Sequence, residues 1–228
     1  MSSRERSLLA VGVAMALGAM TACSDNDTNT APDSPSSAPS KVASSSAPVG
    51  VPPGAQVLGT PRKGEPFKIT ISFKDTSQQD EFQITVRSVT CGKPLDPAVI
   101  AYAADSVGAP TSSPTPEGGK QYCVVAMEAV NVGKRELVWN ADNPVSLNVG
   151  DVAYSQTQKD TDIASDYAQY WNSKGQIGPT FGINPGSKGP VHGIFQIPVG
   201  DRPTSVWVTS GTAIQTVDGV EPGYLVEL

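Results

Sequence analysis

Tyr122-Cys123-Val124-Val125-Ala126-Met127-Glu128-Ala129-Val130-Asn131-Val132-Gly133 decides the fold class. Cys123, Val125, Met127 and Ala129 recur at every second position, with Ala126 and Glu128 between them. That is the period of a strand with one face on a core. Asn131 ahead of Val132-Gly133 can bond its own backbone and end the strand.

Similar runs lie on both sides. Ile69, Ile71 and Phe73 alternate with Lys68, Thr70 and Ser72, and Phe82, Ile84 and Val86 with Gln83, Thr85 and Arg87. Val145, Leu147 and Val149 lead through Gly150-Asp151 into Val152 and Tyr154, a hairpin pattern. Val191, Phe195 and Ile197 follow, then Val206 and Val208, then residues 213–217 and 224–228. About eight short strands with polar outer faces predict an all-β, antiparallel sandwich. Pro185-Gly186 suits a type II turn, and Pro198 ends the strand before it.

One stretch departs from this period. Ile163, Tyr167 and Trp171 fall at i, i+4 and i+8, beside Ala164 and Ala168, which predicts one short helix over about 161–172. Asp160, Thr161 or Asp162 would cap its start and Gly175 its end. Its aromatic stripe reads first as packing on the sandwich.

The run 122–133 resembles the central strand and Asn-x-Gly turn of a domain-of-unknown-function family. That family is frequent in actinobacterial and other Gram-positive surface lipoproteins. Residues 145–154 are similar to its leucine–turn–tyrosine hairpin, and residues 184–198 to its Pro-Gly … Phe-x-x-Pro strand. The resemblance covers most of residues 65–228 and implies an immunoglobulin-like fold related to the secreted immunoprotective antigen of mycobacteria. It implies no established activity and therefore no catalytic residues. It also implies that Cys91 and Cys123 are the pair found in members with an extra disulfide. The inserted helix and the Pro/Ser-rich stretch 103–121, read as a loop, depart from the family's compact form.

The N-terminus addresses location. Arg4 and Arg6 precede an apolar run over residues 8–20, then Thr21-Ala22-Cys23 and the polar Ser24-Asp25-Asn26-Asp27. This order is a secretory signal ending in a cysteine, and it resembles a lipobox with Met20 in place of the commoner Leu. Residues 1–22 are expected to be removed and Cys23 to carry the acyl chains, since two or more chains anchor stably. The 15 residues of 8–22 are too few for a bilayer span, which needs about 20. Ordinary secretion is the alternative, and it leaves the Cys23 thiol unexplained. The expected location is the extracytoplasmic face of the cell membrane.

Residues 23–60 read as a tether. Its Ser, Ala, Pro, Thr and Asp cannot bury enough apolar area to order it, and its 30 residues from 24 to 53 span about 30 Å as a coil. Residues 61–228 are one domain by length. With Cys23 lipidated, Cys91 and Cys123 can pair in an oxidising compartment, two buried free thiols being the alternative.

The chain carries −6, and loss of residues 1–22, with two Arg and one Glu, leaves −7. Such a surface disfavours nucleic acid, anionic lipid and teichoic polymers. Proteins, cations and neutral glycans remain. The single histidine, His192, points opposite Val191 and reads as a surface residue. No Gly-x-Ser-x-Gly surrounds a serine, so no enzyme is expected. Asp160, Asp162 and Asp166 lack the calcium-loop spacing, and neither a metal nor a cofactor is expected.

The leading expectation is an anchored, non-catalytic module that binds a protein or other envelope component. Trp139, Tyr167, Tyr170 and Trp171 are the candidate contact set, because aromatic side chains dominate interfaces. A small-molecule or metal-binding accessory of a transporter or sensor ranks second, and an envelope hydrolase third.

Overall fold

A computed structural model describes residues 48–72, 80–108, 111–137, 145–176, 182–212 and 221–228. Along the chain run β1 (Val57–Gly59), β2 (Phe67–Ser72), β3 (Asp80–Cys91), α1 (Pro97–Val107), β4 (Lys120–Asn131), β5 (Val145–Val149) and β6 (Val152–Tyr154). Then come α2 (Gln158–Ser173), β7 (Lys188–Pro198), β8 (Ser205–Thr209), β9 (Gly211–Thr212) and β10 (Gly223–Glu227). Among the described residues they form two sheets, ordered β1-β10-β8-β5-β6 and β7-β4-β3-β2-β9. The protein is a β-sandwich.

The inward side chains alternate as the sequence requires. Phe82, Ile84 and Val86 of β3, Cys123, Val125 and Met127 of β4, and Phe195 and Ile197 of β7 meet Leu147, Val206, Val208 and Val226 of the facing sheet. On β3 the alternation changes phase part-way. The register against β4 shifts between Val86 and Ser88, so Arg87 is an extra, bulged residue. Beyond it the core-facing positions are Val89 and Cys91, the expected effect of inserting one residue into a period of two. Arg87 reaches across to Glu128, which Lys188 also contacts, so one carboxylate links three strands.

Two edge pairings, β1 with β10 and β2 with β9, are parallel, so the sandwich is not wholly antiparallel. β7 stands at a sheet edge, which relaxes the argument that Pro198 must end a central strand. The sandwich also begins before residue 61. β1 pairs with β10, and the Gly50 carbonyl accepts from Asn148 Nδ2 at 2.8 Å, so the later part of the segment read as tether belongs to the domain. Residues 1–47, with Cys23 and the leader, lie outside the described residues, as do Phe73 and residues 213–217.

Turn chemistry follows the sequence closely. Gly150 takes φ 58° between β5 and β6, and Gly186 takes φ 79° after Pro185, with Ser187 N bonded to Asn184 O at 2.9 Å. Asn131 does more than end its strand. It is fully buried; its Oδ1 accepts from Gly133 N, and its Nδ2 donates to the carbonyls of Arg135 and Ile183. One amide thereby ties the end of β4 to the approach to β7.

The largest departure is a third layer. Besides α2 there is a second helix, α1, whose last residues 103–107 fall in the stretch 103–121 that was read as loop. Asp96 caps it by accepting from Ala98 N, Pro97 fills its first turn, and Gly108 closes it. Both helices take part in a second core outside the sandwich. There Leu95, Val99, Ile100, Ile163, Ala164 and Tyr167 pack with Tyr122 and Ile194. The last two belong to β4 and β7, on the face away from the first core, so those strands are apolar on both sides.

The cysteines are bonded. Cys91 and Cys123 face each other across β3 and β4, closing the excursion that contains α1. At a sequence separation of 32, the chain-entropy estimate is about 3.7 kcal/mol of stabilisation. Substituting both by serine is expected to lower unfolding stability by about 2–4 kcal/mol in urea titrations, with earliest loss of amide protection in α1.

Candidate functional site

The helical layer holds most of the predicted contact residues. α2 starts at Thr157, not at the residues predicted to cap it. Thr157 Oγ1 accepts from Asp160 N, and the Asp160 carboxylate accepts from Thr157 N and Oγ1 at 2.9 and 2.8 Å. This is a capping box with Asp in the reciprocal position. The other Asp160 oxygen accepts from Gln196 Nε2 at 2.8 Å, while Gln196 Oε1 accepts from Glu117 N. Asp160 is fully buried in these contacts. No group of three or more His, Cys, Asp or Glu placed to hold a metal is found among the described residues.

Further polar bonds fasten the layer. Gln156 Oε1 accepts from Ile194 N at 2.8 Å, on the edge strand. Lys159 Nζ and Tyr122 Oη both donate to Thr115 O, which draws the segment after α1 against α2 and β4.

The four candidate aromatics separate. Tyr167 is 5% exposed and its hydroxyl accepts from Asp96 N at 2.9 Å, so it joins α2 to the start of α1 and is not a contact surface. Burial also raises its phenol above the ordinary tyrosine range. Tyr170 and Trp171 are half-buried and meet edge to face at 5.2 Å. Tyr102 of α1 adds a second edge contact to Tyr170 at 5.9 Å, and Lys174 Nζ lies 5.2 Å from the same ring centre. Trp139 lies outside the described residues.

Tyr102 belongs to this ridge and was not foreseen. Its signal was available in Asp96-Pro97, a cap followed by proline at the first helical position. α1 and the segment after it border a cleft of about 520 Å³. Leu95, Pro97, Ile100 and Ala104 supply much of its apolar wall, with Asp105 and Thr111 among its polar groups.

His192 is half-buried rather than exposed. It does point opposite Val191, but that outer face of β7 lies beneath α2. Its ring packs on Tyr167 with centroids 4.8 Å apart, and its buried Nδ1 meets no hydrogen-bond partner among the described residues. Burial lowers its pKa to about 4, against a weaker upward pull from the Asp96 carboxylate.

No protein-family model matches the chain, and no curated protein matches it. Solved structures do. A β-sandwich protein from Clostridium difficile 630 is 14% identical, with 76% of this chain and 95% of that chain covered and a TM-score of 0.36. A conserved hypothetical protein from Bacillus anthracis is 18% identical, with 63% and 89% covered and a TM-score of 0.36. The yjhA protein from Bacillus subtilis is 16% identical, with 74% and 99% covered and a TM-score of 0.39.

The capping network is testable. Asp160→Ala removes the capping box and leaves Gln196 Nε2 without its acceptor. It is expected to cost about 2–3 kcal/mol of stability in chemical denaturation, with helical circular dichroism falling before the sheet signal.

Proposed function

We propose that this protein is a membrane-anchored extracytoplasmic lipoprotein whose sandwich serves as a non-catalytic binding module, with the helical layer as its contact surface. The observation that carries the binding role is the ridge of Tyr102, Tyr170 and Trp171. These rings stand on two helices that are packed on a sheet and capped, so little side-chain freedom is lost on contact. Half-buried aromatic groups supply the anchors that interfaces use.

Cys23, at the end of an apolar leader, supports the anchor, and the Cys91–Cys123 bond suits an oxidising compartment. The acidic chain favours protein or neutral glycan partners over anionic polymers. The cleft beside α1 favours a second reading, in which the module holds a small apolar molecule on behalf of a transporter or sensor.

Crosslinking of the tagged protein on intact cells, followed by mass spectrometry, separates these readings. A specific envelope partner is expected, lost in a Tyr170→Ala/Trp171→Ala variant and kept in Tyr167→Phe. For the isolated pair, loss of two anchors is expected to raise Kd about 30-fold or more. Unchanged capture by the double variant would overturn the contact surface, and recovery of a small molecule alone would favour the second reading. Cys23→Ala is expected to move the protein from the membrane fraction to the medium. Retention of that variant in the membrane would defeat the anchor.

A further inference from the structure

An imidazole lies at the margin of the second core. His192 projects from β7 on the same outer face as Ile194, and Tyr167 of α2 packs against it. Tyr167 in turn holds the Asp96 amide at the start of α1. One ring therefore underlies a contact shared by both helices and the sheet. We propose that the α1–α2 layer is an acid-released cover over the outer face of β4 and β7, with His192 as its trigger. The proposal does not rest on the anchored-module reading, because its readouts need only purified protein.

The physical reason is desolvation. A neutral imidazole fits between Tyr167 and the strand, whereas an imidazolium needs two donors satisfied and a counter-charge nearby. Asp96 precedes α1, and its field favours the charged ring but only in part offsets burial. On α2, Tyr167 is itself buried and Asp160 is engaged by Gln196 and its own cap. Asp162 and Asp166 follow on that helix. Burial, with Asp162 nearby, raises the pKa of Asp166, so its protonation in acid favours the docked helix and opposes the trigger. On β4, Glu128 is held by Arg87 and Lys188.

The sign follows from linkage. The folded-state pKa of His192 lies below its ordinary value, so undocked protein binds the proton more tightly. Stability of the layer is complete above pH 6.5, declines as pH falls through that value, and reaches its lower level near pH 4. The drop from 6.5 to about 4 sets an upper bound of about 300-fold on the change in the opening equilibrium. Release would bare Tyr122, Val124 and Ile194, an apolar strip that is covered at neutral pH.

Hydrogen exchange on the purified full chain, corrected for the intrinsic pH dependence of exchange, tests this between pH 7 and 4. Amides of α1 and α2 are expected to lose protection by up to about 300-fold while β8 and β10 keep theirs. Binding of a dye specific for apolar surface is expected to rise over the same range. His192→Phe, which keeps a ring on Tyr167 and cannot titrate, is expected to hold both readouts level. In the unsubstituted protein, the His192 ring followed by NMR is expected to titrate well below 6.5, together with the helix amides. An equal loss of protection in both proteins would overturn the proposal, as would loss spread through the whole sandwich. So would a ring that titrates near 6.5 while the helices remain protected, a result that decides the matter even if the phenylalanine variant does not fold.

Discussion

The strand Lys120–Asn131 has to satisfy two apolar environments at once. Cys123, Val125, Met127 and Ala129 enter the sandwich core, while Tyr122 and Val124 face the helices. An antiparallel strand in a two-layer sandwich usually has one face in water. Here that choice is closed, because leaving Tyr122, Val124 and Ile194 exposed would forfeit about 1.5–3 kcal/mol for each large side chain. The helices exist where they do because this face must be covered, and the disulfide sits at the start of the same strand.

Covering a sheet with helices brings polar atoms into a dry region, and the protein meets that demand locally. The Asp160 carboxylate takes two donors from Thr157 and one from Gln196, and Gln196 returns an acceptor to the Glu117 amide. Asn131 does the same at the other end of β4. In each case a short side chain replaces the water that the backbone would otherwise have bound. The arrangement leaves Tyr102, Tyr170 and Trp171 half-buried on two helices whose starts are capped.

Much of the sandwich was legible because its signal is local. The alternations at Phe82–Val86 and Cys123–Ala129, the Gly150 hairpin and the Pro185-Gly186 turn each depend on neighbours within a few residues. What escaped depends on contacts between elements. The bulge at Arg87 changes which residues of β3 face inward, and nothing in the run Thr85-Val86-Arg87-Ser88 announces it. α1 is apolar on most sides, so it lacks the contrast by which a helix at a surface is recognised, even though Asp96-Pro97 marks its start. His192 was read as exposed by a correct alternation and an incorrect assumption about what lies on the other side. The same error hid Tyr102 and kept Tyr167 among the contact residues, since a helical stripe does not say whether its far end reaches solvent.

The bond from the Ile194 amide to Gln156 closes one donor on a strand at the edge of its sheet. β7 ends one sheet, and an unprotected strand there would accept another chain by main-chain pairing. In an antiparallel ladder, residues two apart direct their amides to the same side, so Pro190 and Pro198 fall in line with Ile194 on the rim of the sheet. Two of those positions have no proton to give and a third is occupied. Three of the amide positions on that rim are therefore closed to main-chain pairing with another chain.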